Sequence, residues 1–323
     1  MVETAYAQSG LPEIRLLSQL LVRRLQILVI QQNLLSLRLQ KGKLSVPFCK
    51  QIPKNVLQYG YLSDFTEELR SKGKYTFSLD DVHAKYSQSY EAIKKALQRL
   101  KTKKEIAVIR KEFFAIIPPE YRSKGMLPPS LFIADLMKFL GRNYYVGLLN
   151  AAAFYGAAHH QPQGFSVITT KPSLRGVHTK NLTIDFYIKK EWSKEDIIQM
   201  KVETGYINVS SSELTALDIV FFFDKVGGFN RIITVLEELS ETMDAQKLVA
   251  TAKRFYQTTT IQRLGFLLGE VLQHRDLSEP LAEYIKTLEY FPVQLRPENK
   301  KPRNMTTSND WKVIANVQID TDL

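Results

Sequence analysis

The sequence predicts an α+β protein in two parts: a small basic head of three helices and a β-hairpin, then a larger mixed α/β domain with a helical C-terminal tail. Three observations predict this. The charge is lopsided: residues 127–323 hold 22 basic and 22 acidic side chains, whereas residues 1–126 hold 22 and 11, which supplies the whole net charge of +11. Apolar spacing between Tyr61 and Ile117 is helical three times and then alternates twice in a row. Beyond a proline-rich connector come two apolar helical segments, then strand-like runs, then a series of helices, the mixture expected of a sheet covered by helices.

Bulk properties bound the rest. At 323 residues with 44% hydrophobic and 24% charged side chains, the chain is globular and long enough for two or three domains. The one cysteine, Cys49, forms no internal disulfide and fits a reducing cytoplasm, and with Lys50 beside it but no histidine near it in sequence it reads as inert rather than catalytic. Such an unequal charge distribution suggests two tasks, one of them involving a polyanion.

Residues 1–55 stand apart. The stretch 14–40 is leucine-rich, but Arg23, Arg24 and Gln31–Gln32–Asn33 interrupt it, unlike the unbroken run of about 20 apolar residues that spans a bilayer. Residues 1–12 carry no lysine or arginine, unlike the start of a signal peptide. The segment reads as an amphipathic helix for a membrane surface or a partner. The absence of any acidic residue from Ile14 to Ser63 also allows a non-native extension ahead of the true start.

The head, residues 60–122, begins with LSDFTEELRSKG. Leu62, Phe65 and Leu69 share one helical face, Ser63 is the expected cap, and Gly73 is the stop. KYTFS is a short edge strand. Ser78 should cap the next helix, with Asp80 and Asp81 in its positive first turn. After a break at Ser87–Gln88, Ile93, Ala96, Leu97 and Leu100 form one face of a third helix, while Glu91, Lys94, Lys95 and Gln98 form the other. EIAVIR and EFFAIIP alternate around Arg110–Lys111 and read as a tight hairpin. Helix, strand, helix, turn, helix, hairpin is the winged helix-turn-helix order. In that fold the third helix enters the major groove and the hairpin meets the phosphates. Nine lysines and arginines lie between Lys85 and Lys111 against two glutamates, as such a surface needs. The expected contacts to double-stranded DNA are Ser87, Gln88, Ser89 and Tyr90 at the helix start, then Lys94, Lys95 and Gln98 along its side. Lys101, Lys103, Lys104, Arg110 and Lys111 lie near the wing.

The connector PPEYRSKGMLPPS (118–130) has four prolines and one glycine. In the second domain, residues 127–323, LFIADLMKFLG and YYVGLLNAAAFYG read as helices closed by Gly141 and Gly156. FSVITTK and LTIDFYIKK read as strands, and KVETGYINVS as a strand pair around Gly205. SELTALDIVFFFDKVGG reads as a helix capped at Ser211–Ser212, with helices over 229–243, 244–256 and 258–273 and LSEPLAEYIKTLEY after them. Signals for catalysis are poor. His159 and His160 are adjacent and point apart in any regular element, with no third metal ligand at useful spacing. Asp185 and Glu203 invite comparison with a nuclease carboxylate pair, but Thr204–Gly205 stands where a lysine two positions on is needed. No phosphate-cradling GxxxxGK loop and no nucleophile elbow occurs.

Three blocks in order carry a family likeness. YYVGLLNAAAFYGAAHHQPQGFSVITTK (144–171), SSELTALDIVFFFDKVGG (211–228) and DWKVIANVQIDTDL (310–323) resemble the AbiEi antitoxins of type IV toxin–antitoxin systems in bacterial abortive infection. The signature positions fall on Tyr144, Tyr145, Gly156, His159, His160 and Gln161. They continue in a Ser/Thr-x-Glu-x-Thr-x-x-Asp element at Ser211 or Ser212, Glu213, Thr215 and Asp218, and the last block resembles the closing strand with its tryptophan. The likeness covers about residues 60–323 and offers nothing for 1–55. It implies a cytoplasmic transcriptional autorepressor that binds promoter inverted repeats and counters a nucleotidyltransferase-like toxin without catalysis, cofactor or metal. The alternative is a DNA-processing enzyme, a metal-dependent nuclease or transferase delivered by a winged helix.

Overall fold

The computed structural model describes residues 60–157, 162–297, 307 and 309–319. The expectations for residues 1–55 and for His159, His160 and Gln161 lie outside these. From Gly60 onward the chain forms one compact α+β unit.

The head contains α1 (Tyr61–Ser71), β1 (Thr76–Ser78), α2 (Leu79–Lys85), α3 (Tyr90–Thr102), β2 (Ile106–Arg110) and β3 (Phe113–Ile116). Its antiparallel sheet has the order β1-β3-β2, with Phe77 opposite Phe114. Ser78 and Asp81 form the reciprocal capping box at α2, each side chain bonding the other's backbone N–H. The start of α1 differs from expectation: it begins at Tyr61 over Gly60, and Ser63 sits one turn inside, where its carbonyl receives the Thr66 hydroxyl. A serine marks a cap only where its own backbone is extended, and here it is helical. The head core joins Leu62, Phe65, Phe77, Val82, Ile93, Leu97, Leu100 and Ile106.

The remainder is built on a six-stranded mixed sheet of order β6-β7-β5-β4-β9-β8. Its strands are β4 (Tyr144–Val146), β5 (Phe165–Thr169), β6 (Val177–Thr179), β7 (Leu182–Ile188), β8 (Ile197–Val202) and β9 (Gly205–Ser210). Between or beyond them run α4 (Ile133–Phe139), α5 (Leu148–Phe154), α6 (Ser212–Phe221), α7 (Phe229–Ser240), α8 (Ala245–Arg254), α9 (Thr258–Phe266) and α10 (Arg275–Lys286). A short parallel pair, β10 (Val293–Gln294) and β11 (Val313–Ile314), closes the tail.

One element is corrected. Tyr144–Val146 is a strand in the middle of the sheet, and the helix starts only at Leu148. A strand buried on both faces is apolar throughout, so its period is invisible and it merges with the apolar helix after it. Gly147 gives close packing at the junction, where a Cβ would lie 2.6 Å from the tip of the Ile168 side chain and 3.3 Å from the Tyr145 ring. The helix expected to reach Gly227–Gly228 ends at Phe221, followed by a turn.

Side chains alternate along β4 and β5, so two cores form. Tyr145 and Ile168 face the C-terminal helices. Tyr144, Val146 and Val167 face α4, the connector residues Met126 and Leu127, and Ile109, Phe113 and Ala115 of the head hairpin. The hairpin thus belongs to the body's core as well as to the head. The proline-rich connector is packed into that core, and the boundary in charge is not a boundary in packing.

Candidate nucleic-acid interface

Helix α3 presents two contrasting faces. Ile93, Leu97 and Leu100 are buried in the head, whereas Lys94, Lys95, Gln98, Arg99 and Lys101 are exposed. Its start is defined by Ser89, whose hydroxyl accepts from the Ala92 N–H at 3.4 Å, and Ser87 is exposed just before it. Gln88 is half-buried. Tyr90, at the first helical position, is 51% exposed, a high value for an aromatic ring in a folded protein. The ring of His83 lies parallel to it within 8°, centroids 6.4 Å apart, and Lys94 Nζ sits 6.0 Å from the Tyr90 centroid. His83 belongs to this surface and had no signal in the sequence, where it is one polar residue at the end of a short helix. Lys103 and Lys104 are exposed where α3 runs into β2.

The hairpin departs from expectation at Arg110. Its guanidinium is half-buried, donates from Nη2 to the Arg175 carbonyl and lies 5.6 Å from the Phe186 ring centroid. Burial and the nearby Arg175 charge both pull its pKa below the ordinary arginine value. Arg110 is therefore occupied in fastening the hairpin to the sheet, while Lys111, with its side chain 90% exposed, remains at the tip beside Glu112. Sequence cannot separate such neighbours, since the difference lies in what packs against each.

The Ser/Thr-x-Glu-x-Thr-x-x-Asp block on α6 is a second constellation, and it is buried. Asp218 Oδ1 accepts from Lys189 Nζ at 2.6 Å and Oδ2 from the Tyr145 hydroxyl at 2.7 Å, with both charged side chains at most 1% exposed. Lys189 Nζ also lies 4.3 Å from the Phe255 ring centroid. Burial raises the Asp218 carboxyl, with Lys189 and Tyr145 drawing it back, and burial beside Asp218 holds the Tyr145 hydroxyl well above its usual range. Glu213 Oε1 accepts from the Asp244 N–H at the start of α8, and Thr215 donates to the Ser211 carbonyl at 2.7 Å. Tyr144 is buried, its hydroxyl pushed up to about 12 by desolvation, and Gly156 ends α5 with a positive φ of 81°. These residues tie α6 to the sheet and to α8, and none of the described ones offers a reactive atom to solvent. Lys189 is the member that sequence reading missed, because Lys189–Lys190 at a strand end looks like surface.

Asp185 and Glu203 do not share a site. Asp185 lies on β7 beside His178 (3.5 Å) and Glu203 in the β8–β9 turn, so two strands, β5 and β4, lie between β7 and that hairpin, at least about 14 Å at 4.8 Å per step. Among the described residues no group of His, Cys, Asp and Glu is arranged to hold a metal ion, and no helix is long and apolar enough to cross a membrane.

Comparison with known proteins adds two findings. Residues 145–270 match the family described as the AbiEi antitoxin C-terminal domain. The fold is similar to the crystal structure of the RV2827C protein from Mycobacterium tuberculosis, with a TM-score of 0.56 and 13% identity over 78% of this chain and 90% of that one. No curated protein matches the chain.

Proposed function

We propose, from the premise that residues 145–270 form an AbiEi antitoxin C-terminal domain, that the chain is an antitoxin and also the repressor of its own operon. In this reading residues 60–122 are a winged helix that binds inverted repeats in promoter DNA. Residues 127–323 counter a nucleotidyltransferase-like toxin in the cytoplasm, by opposing its effect rather than by catalysis. The observation that carries the DNA half is the two-faced α3, seated by Ile93, Leu97 and Leu100 and offering Lys94, Lys95, Gln98 and Lys101 outward. Donors on such a face meet phosphates and base edges in the major groove. The docking of Arg110 revises the footprint: the wing contributes Lys111, and the helix takes the larger share.

Electrophoretic mobility shift on the DNA upstream of the gene tests this. The wild-type chain should bind an inverted repeat, and Lys94→Ala/Lys95→Ala should weaken binding at least tenfold while leaving the thermal midpoint in place. Undiminished binding by that variant would sink the assignment of α3, and metal-dependent cleavage of the DNA, lost in Asp185→Ala, would favour the processing-enzyme alternative.

A further inference from the structure

The loop joining β5 to β6, residues 170–176, is held from two sides by arginines. Arg142 donates from Nη1 to the Lys171 carbonyl at 3.1 Å and from Nη2 to the carbonyls of Thr170 (3.3 Å) and Pro172. Arg110, reaching over from the hairpin, donates to the carbonyl of Arg175. Between these points Leu174 packs against the hydrophobic cluster shared by hairpin and sheet. Two guanidinium groups thus fix the backbone of a surface segment whose own cations, Lys171 and Arg175, are exposed. No acidic residue occurs from Lys171 to Ile184, and the first that follows, Asp185, lies 3.5 Å from His178.

Arg110 and Arg175 are drawn together by a backbone hydrogen bond, although like charges repel. Among the described residues neither is ion-paired to a carboxylate. Lys111, the next residue after Arg110, adds a third cation at the hairpin tip, beside the exposed Glu112 at 3.6 Å. Lys171 and Arg175 are cations on a fixed backbone, neither ion-paired to a carboxylate among the described residues, and such a pair suits an anion because the cost of ordering the loop itself is met before the ligand arrives. The Arg110–Arg175 contact, one residue from Lys111 at the hairpin tip, favours one anion: a phosphate backbone that meets the wing at Lys111 lies next to this end of the loop.

We propose that the 170–176 loop acts as a second wing, its Lys171 and Arg175 binding the phosphates of duplex DNA that flank the segment read by α3. This rests on the repressor reading above and extends the DNA contact into the part of the chain whose net charge is zero. Counterion release then includes these contacts, each steepening the fall of log affinity with log salt by about 0.9.

The test measures affinity of the full chain for its upstream duplex across salt concentrations. Lys171→Ala/Arg175→Ala should flatten the salt slope by nearly two and shorten the backbone-protected footprint at one flank, with the melting temperature unmoved. The clamp survives these exchanges, since Arg110 and Arg142 bind carbonyls and not the exchanged side chains. Arg175→Lys, which keeps the charge, should restore most of the slope. An unchanged slope in the double variant, or an equal loss in Arg175→Lys, overturns the proposal. So does a variant that loses affinity for RNA of the same sequence while keeping it for DNA. Failure of the wild-type chain to bind duplex DNA would instead overturn the repressor reading beneath it.

Discussion

The Lys189–Asp218 pair shows how one side chain can carry a large energetic weight without taking part in binding. Both groups are removed from water, and each is acceptable there only because the other is present, with Tyr145 completing the carboxylate's hydrogen bonds. Removing one partner of a buried pair costs about 3–5 kcal/mol, whereas replacing both by apolar residues of similar volume is often near neutral. Lys189→Met should therefore lower unfolding stability by about 3–5 kcal/mol in denaturant titration, and Lys189→Met/Asp218→Leu should recover most of it. The sign with pH follows from the lost counter-charge. In Lys189→Met, burial leaves the folded Asp218 pKa above its unfolded value, so protonation favours the folded state. The deficit should shrink as pH falls through the folded-state value towards about 4, the unfolded aspartate value, and be full at neutral pH. A single variant within 1 kcal/mol of wild type, or a deficit that ignores pH, would contradict this account.

At the scale of elements, the tail is registered by one close approach. Gly265 on α9 faces the indole of Trp311, and a Cβ there would lie 2.0 Å from a ring carbon. Gln262, one turn earlier, donates to the carbonyls of Trp311 (2.8 Å) and Phe291 (2.9 Å), which brings β10 and β11 onto the same helix. Alanine is the better helix former by about 1 kcal/mol, so an exposed glycine at this point would gain by the change. Here overpacking should win, costing about 1–3 kcal/mol, and displacement of Trp311 should red-shift the tryptophan emission. A stabilised Gly265→Ala variant with unaltered fluorescence would show that the tail does not dock through this contact. The same scale explains the misread β4: Tyr144–Val146 lies between two neighbouring strands and two cores, so no polar residue marks its edges as a strand.

At the scale of the whole molecule, the head and the body share side chains. Phe113 packs with Leu127, Phe132 and Val177, and its ring lies 5.0 Å from that of Phe139, while Thr76 donates to Asp135 at 2.5 Å. A core common to both parts couples their unfolding. Calorimetry should show a single transition for residues 60–323, and Phe113→Ala should lower stability by about 3–5 kcal/mol without splitting it. Two resolved transitions in the wild-type chain would show that the shared core is too weak to couple them. On the function proposed above, a body rigidly joined to the head would set the orientation of α3 on DNA.

The local elements of the head were readable in the order of residues, because caps, turns and periodicity act over a few positions: Ser78 with Asp81, Gly73, and the alternating hairpin all behave as their neighbours dictate. The cationic face of α3 was readable for the same reason, being set by spacing of 3.6 residues on one helix. Folding alone decided which charges face water. Arg110 and Lys111 are adjacent and chemically alike, yet one holds the β5–β6 loop and the other meets solvent; Lys189 and Lys190 divide in the same way between core and surface. Burial and partnership depend on segments far apart in the chain, and no local pattern encodes which of two neighbouring side chains a distant strand will cover.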